Sequence, residues 1–191
     1  MSINRALKGI VLAGGKSSRF GSDKALALHD GLPLVKRAVD LLHGLGLHPA
    51  VITRKGQSYP FLDCTVLEDK LPDLGPLGGL YTAMSAFPHD AFCVLTCDMP
   101  LLTDEAVSAL MQDDRNKGKI LLYHARGRVQ PFPGIYPRSI LPRVRHGLLE
   151  GRCSLKSLME GAPVKAVIWA WNPDIFINVN TSKDLPRVFI P

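Results

Sequence analysis

Ile10-Val-Leu-Ala-Gly-Gly-Lys-Ser-Ser-Arg-Phe-Gly-Ser-Asp-Lys24 is the stretch that decides how this chain folds. The apolar run from Gly9 to Ala13 predicts a buried strand, and Gly14-Gly15 ends it. A loop carrying Lys16, Arg19 and Lys24 follows. Glycines let backbone N–H groups come close to phosphate oxygens, and the cations neutralise their charge, so such a loop suits a polyphosphate. The spacing excludes both common phosphate loops. Gly21 is followed by Ser-Asp-Lys rather than Lys-Ser/Thr, and no glycine here opens a G-x-G-x-x-G run. The loop points to a nucleotide, but to neither a P-loop ATPase nor a dinucleotide-dependent dehydrogenase.

Outward from this loop, strand-like and helical patterns alternate. Strands are expected at 7–13, 49–54, 64–68, 91–97, 119–124, 130–136, 164–170 and 175–179. Helical spacing follows Pro33, with Leu34, Val35, Ala38, Leu41 and Leu42 on one face and Gly44 and Gly46 at its end. Further helices are expected at 77–87, 137–149 and 154–160, and after Thr103, an N-cap followed by Asp104 and Glu105. The alternation predicts an α/β protein with a parallel-rich sheet and helices on both faces. Ligands on such sheets sit beyond the carboxyl ends of strands, and the loops after residues 13, 68 and 97 all follow strands. The 191 residues hold no internal repeat and no Gly/Ser linker, so one domain over 1–191 is expected.

Composition narrows the function classes. At 46% hydrophobic and 21% charged residues the chain is an ordinary globular protein, without an apolar run of membrane-spanning length. No secretory leader is expected, because the glycine loop follows the first short apolar run at once. Cys64, Cys93, Cys97 and Cys153 lack zinc spacing and read as reduced thiols. The net charge of +6 is scattered apart from Arg138, Arg143, Arg145, His146 and Arg152. That group is a solvated helix face or a patch for a small anion, and no aromatic pattern of RNA binding accompanies it.

Leu12-Ala-Gly-Gly15, Arg19-Phe-Gly21 and Asp23-Lys24 together resemble the signature L-A-G-G-x-x-x-R-M-G-x-D-K of Rossmann-like nucleotidyltransferases. The resemblance continues through Gly75-Pro-Leu-Gly-Gly79, Cys97-Asp-Met-Pro-Leu101, Gln130-Pro131 and Ile177-Asn-Val-Asn-Thr181, in order along nearly the whole chain. On these motifs the chain is similar to the molybdenum cofactor guanylyltransferases. The resemblance implies a three-layer α/β/α Rossmann-like fold with a mostly parallel sheet, and a cytoplasmic enzyme. Its implied reaction is transfer of GMP from Mg²⁺-bound GTP to molybdenum cofactor, with proteins that deliver and collect that cofactor, and without nucleic acid or membrane.

The same resemblance assigns residues. Leu12, Ala13, Gly14, Gly15, Lys24, Asp69, Gly75, Gly79 and Asp98 match the nucleotide site. Lys24, Arg19 and Asp98 match the catalytic groups, and Asp98 the Mg²⁺ ligand; Gln130, Asn178 and Asn180 match the acceptor side. The chemistry of these residue types agrees. Fixed cations and a metal lower the barrier to expelling pyrophosphate, and Mg²⁺ takes few carboxylates alongside phosphates and water. A carboxylate accepts from the N1–H and N2–H₂ donors of guanine, and Asp73 competes with Asp69 for that place. Asp98 before Met99-Pro100 also fits a plain turn, and the asparagines also fit turn or capping roles. Thr53 and Arg54 depart from an asparagine common in the family. Arg126, Arg128, Arg138 and Arg152 are candidates for the pterin and phosphate of the acceptor. Leu12 and the Gly75–Gly79 segment favour guanine; a cytidylyltransferase acting on the same acceptor, or another small nucleotidyltransferase with a phosphorylated acceptor, is the alternative.

Overall fold

A computed structural model describes residues 7–15, 20–21, 23–112, 118–181 and 183–185. Its centre is a seven-stranded sheet in the order β5-β4-β1-β6-β8-β7-β9. The strands are β1 (Leu7–Leu12), β4 (Ala50–Thr53), β5 (Thr65–Glu68), β6 (Ala91–Thr96), β7 (Ile120–Ala125), β8 (Arg128–Pro137) and β9 (Val164–Ile168). β5, β4, β1 and β6 pair in parallel, as do β7 and β9, and β8 runs antiparallel to both of its neighbours. The carboxyl ends of every strand but β8 therefore lie along one edge. Strand β1, with Gly9 to Leu12 buried, has neighbours on both sides, as its unbroken apolar run predicts.

Helices cover both faces. α1 (Leu34–Gly44) buries Leu34, Val35, Ala38, Val39 and Leu42 on one stripe, while Lys36 and Asp40 pair across its outer side. It ends in a Schellman motif: Gly46 at φ 72° donates to the His43 carbonyl and Leu47 to that of Leu42. α1 and α3 (Asp104–Met111) share one face, and α2 (Gly75–Ala86) and α4 (Leu141–Leu149) pack on the other. Thr103 caps α3, as expected, accepting from the Ala106 N–H. α5 (Leu155–Met159) leads into β9, and no described helix is long and apolar enough to cross a membrane.

Three expectations are corrected, and one element has no counterpart in the sequence-based expectations. Residues 175–179 do not form a sheet strand. Asn172 caps a 3₁₀ turn over Pro173–Phe176, its side-chain oxygen accepting from the Asp174 N–H, and proline favours that first turn. β9 stops at Ile168, short of residue 170, because the chain turns toward this cap. The helix expected over 137–149 is a 3₁₀ turn, Arg138–Ile140, followed by α4. Finally, residues 28–33 form a hairpin of β2 (Leu28–His29) and β3 (Leu32–Pro33), joined by Asp30-Gly31 at φ 51° and 75°. Asp-Gly is the dipeptide a two-residue turn with positive φ requires.

Candidate active site

The carboxyl edge of the sheet opens into a cleft of ≈ 530 Å³. Leu12, Ala13, Gly14 and Gly15 from the end of β1, Ile52 from β4, Thr96 from β6, and Lys24 and Asp98 line it. Asp69, Pro72, Asp73, Gly75, Pro76 and Gly79 close the other wall, and Arg54 and Lys55 border it after β4. The structure thus brings nine sequence-predicted nucleotide residues to one cavity. Arg19 and Lys16 lie outside the described residues.

Each wall has a local physical basis. Among the described residues, a Cβ on Gly15 would meet no atom within 4 Å, and on Gly14 only ordinary contacts at 3.7 Å or beyond, so packing by those residues does not require either glycine. Gly79 differs: a Cβ there would lie 2.9 Å from Leu12 Cδ2. Its absence lets α2 close onto the end of β1. Helix α2 begins at Gly75, at φ 62°, with Pro76 behind it and no side chain capping its first turn. Its N-terminal N–H groups and positive dipole end lie at the cleft wall, where an anion is favoured.

Lys24 and Asp98 form the charged centre. Lys24 Nζ is 2.8 Å from Asp98 Oδ2, with the side chains only 16% and 15% exposed. Asp98 Oδ1 is buried and has no hydrogen-bond partner among the described residues, and the same holds for Thr96 Oγ1 two positions earlier. A buried carboxylate oxygen left open costs desolvation unless a cation or donor meets it. The site therefore suits Mg²⁺, which binds one or two carboxylates and takes its other ligands from phosphate and water. Among the described residues no cluster of three or more His, Cys, Asp or Glu side chains occurs.

Lys24 is held by a carboxylate to which the sequence alone gives no role. Asp23 Oδ1 accepts the Ala25 N–H and caps the 3₁₀ turn Lys24–Leu26. Its Oδ2 accepts from Gln57 Nε2 at 2.8 Å and Tyr59 Oη at 3.0 Å. Gln57 Oε1 in turn accepts from Thr53 Oγ1 and Arg54 Nε. Burial pushes the Tyr59 phenol well above its ordinary range, so it stays a neutral donor. The Thr53-Arg54 departure from the family pattern is thereby accounted for: both residues brace the lysine turn.

On the second wall Asp69 Oδ1 accepts from Thr82 Oγ1 at 2.7 Å and from the Leu71 N–H at 3.0 Å. It ties the loop after β5 to α2, and a Cβ on Gly78 would lie 2.7 Å from the Leu71 carbonyl. Asp73, at φ 69° and exposed, stands at the rim.

Beyond Asp98 the predicted acceptor residues separate. The Val179 N–H donates to the Asp98 carbonyl at 2.8 Å, which sets exposed Asn178 and Asn180 on either side of a buried residue next to the charged centre. The Asn180 and Thr181 N–H groups are held by Asp184 Oδ2. Gln130 is only 6% exposed, and its Nε2 donates to the Ala125 carbonyl inside the β7–β8 hairpin. It belongs to the hairpin and does not border the cleft. Arg138 is likewise engaged, donating to the Met84 and Phe87 carbonyls at the end of α2, and Arg152 pairs with Glu150. Arg126, at φ 55° in the hairpin turn, is bound to Asp174 Oδ1 at 2.7 Å.

A second groove, ≈ 630 Å³, runs between α1 and α3. It carries Asp40, Asp104 and Glu105 and no glycine loop, the wrong sign for a polyphosphate. Cys97, in the first cleft, is buried and its thiol is pushed up to about 12 by desolvation, so it is no nucleophile at neutral pH.

Fold and cleft together define a nucleotide-binding α/β protein, with its site on the carboxyl edge of a mostly parallel sheet. Comparison with known proteins narrows the class. The chain belongs to the family described as the MobA-like NTP transferase domain, whose model matches residues 9–166. It is 30% identical over 180 residues to the molybdenum cofactor guanylyltransferase of Vibrio cholerae serotype O1, covering 93% of this chain and 89% of the relative. It is 32% identical to the probable molybdenum cofactor guanylyltransferase of Bacillus cereus strain B4264, with 92% of each covered. In fold it matches molybdopterin-guanine dinucleotide biosynthesis protein A from Archaeoglobus fulgidus at a TM-score of 0.80 and 20% identity, over 94% of this chain and 95% of that one.

Proposed function

We propose that this protein transfers GMP from GTP to the terminal phosphate of molybdenum cofactor, forming the guanine dinucleotide and releasing pyrophosphate. The observation that carries the reading is the buried Lys24–Asp98 pair beside Gly14-Gly15 in the cleft, with Asp98 Oδ1 lacking a hydrogen-bond partner among the described residues. The relatives' names supply the acceptor and the base. In this reading the β- and γ-phosphates lie against the Gly14-Gly15 backbone and the start of α2. Lys24, braced by Asp23, meets the charge that grows on the oxygens around the α-phosphorus. An acceptor phosphate is ionised already, so its oxygen forms the new bond to phosphorus while the bridging oxygen leaves with pyrophosphate. No general base is required, and orientation and charge neutralisation are the protein's work. Mg²⁺ bound at Asp98 would add Lewis-acid stabilisation of the phosphate charge. Asp69 and Asp73 give the cleft an acidic rim that suits the donor edge of guanine. Asn178 and Asn180 present amides that both donate and accept beside Asp98, on the side from which the acceptor phosphate arrives.

The test is pyrophosphate release from GTP or CTP by purified protein supplied with molybdenum cofactor and Mg²⁺. Turnover with GTP that depends on cofactor is expected. Turnover with CTP instead would move the protein to the cytidylyl branch, and turnover with neither would remove the reading.

A further inference from the structure

The chain has two tryptophans, Trp169 and Trp171, and both stand just past the carboxyl end of β9. Trp169 packs edge-on against Tyr123 and Phe176, with ring centroids 5.2 and 6.0 Å apart. Trp171 meets Trp169 at 4.7 Å yet stays 69% exposed. On the opposite face of the same strands Ile168 is 77% and Val129 39% exposed, both paired with His124.

This corner is rigid. Trp169 Nε1 donates to the Asn172 carbonyl, Asn172 Oδ1 holds the Asp174 N–H, and Asp174 binds Arg126 across the hairpin turn. These ties fix Trp169 and the backbone after Trp171, so the exposed Trp171 ring rests on a held indole and presents its other side, as a stacking platform requires. Arg128 pairs with Ala125, two positions from the Tyr123–Gln130 pair, so it shares the face on which the tryptophans pack. Arg128 is exposed.

Position connects the corner to the cleft. The chain from Trp171 runs along the carboxyl edge to Val179, which is bonded to Asp98. β9 stands three strand positions from β6, so about 14 Å separates Trp171 from Asp98 along that edge at ~4.8 Å per strand. That is the order of length of a tricyclic pterin carrying one phosphate.

We infer that Trp171 is the platform on which the pterin ring system of the acceptor stacks, with Arg128 directed to its polar edge, while the acceptor phosphate reaches Asp98. The inference rests on the proposed reaction and adds a specificity-determining residue to it. The planar pyrimidinone ring of a pterin gains from stacking on indole, and a sugar phosphate or simple alcohol phosphate has no such ring.

The test uses Trp171→Ala and Trp171→Phe. Trp171 is exposed, so both variants should melt with the wild type. Steady-state transfer with molybdenum cofactor is expected to show an acceptor KM raised roughly tenfold in Trp171→Ala, restored in Trp171→Phe, with the KM for GTP unchanged in both. Pterin-6-carboxylate should quench the indole emission of the wild type saturably. The residual Trp169 emission of Trp171→Ala should be quenched only at roughly tenfold higher concentration. Unchanged acceptor KM in Trp171→Ala, with normal transfer, overturns the platform and leaves the reaction standing. Absence of transfer in the wild type overturns the reaction, and the pterin titration then judges the platform alone.

Discussion

The two sides of the sheet are built by different means. On the β5-β4-β1-β6 side the cleft is made of backbone: two open glycines, an uncapped helix start, and a single buried ion pair. The β8-β7-β9 side, outside that cleft, is made of side chains tied to one another, such as Arg126 to Asp174 from 48 positions away. Backbone sites suit a ligand shared by many proteins, since triphosphate needs N–H groups and little else. Side-chain corners suit a ligand that few proteins see. The comparison therefore expects changes on the first side to strike binding and chemistry together, and changes on the second to strike one substrate.

The largest effect should come from Asp98. Asp98→Ala removes the open oxygen and leaves Lys24, 16% exposed, without its 2.8 Å partner. Loss of one charge-stabilising group at the reacting centre is worth about 10²–10³ in kcat. Turnover should fall by that factor and Mg·GTP binding, measured by calorimetry, should weaken. Asp98→Asn keeps the shape and separates charge from packing. A variant with full turnover would break the assignment of the first side as the chemical one.

Legibility in the sequence follows the same divide. The glycine loop, Lys24, Gly75–Gly79 and Asp98 are consecutive in short motifs, because backbone sites are built from neighbours in sequence. Strand and helix order is equally local, as with the Thr103 cap and the Gly46 stop of α1. Asp23 is visible as a residue but its role is not, since Gln57 and Tyr59 come from 34 and 36 positions away. Arg138 looks like a free cation until α2, more than fifty positions earlier, offers it two carbonyls. Gln130 resembles a site motif and is buried in its own hairpin. Ile175 to Val179 alternates like a strand, yet Asn172 and Pro173 start a turn there, and Val179 is bound to the Asp98 loop rather than to a strand.

A smaller effect should sharpen the comparison from the packing side. Gly79→Ala would place a methyl 2.9 Å from Leu12 Cδ2, so Leu12 must shift within the cleft, and the helical gain of alanine over glycine, about 0.5–1 kcal/mol, should leave stability little changed. The substitution should also shift the start of α2 and raise the KM for GTP, with the acceptor KM unmoved. Leu12→Ala frees the space, so the double variant should bind GTP better than Gly79→Ala alone. Denaturant unfolding and the two KM values check this. Equal damage to both substrates would mean that the two sides are not separable.

The smallest effect belongs to β6, the strand between the two sides. Cys93 is buried on it and Cys97 just past its end, and desolvation pushes both thiols up to about 12 from 9.0. A group whose pKa is raised on folding stabilises the native state fully below its unfolded value, and that contribution is lost as pH climbs toward the folded value. Stability should therefore decline from about pH 9 upward, each thiol accounting for about 1 kcal/mol at pH 9.5, before tyrosines enter. Cys97→Ala should flatten the curve by one such step when denaturant midpoints at pH 7.5 and 9.5 are compared under reducing conditions. If both sides share β6 as one cooperative core, far-UV signal and tryptophan emission should fall together, although both indoles lie on the second side. Emission lost at lower denaturant than the far-UV signal would show that the corner holding Trp169 and Trp171 opens by itself, and would make the division between the two sides one of stability as well as of binding.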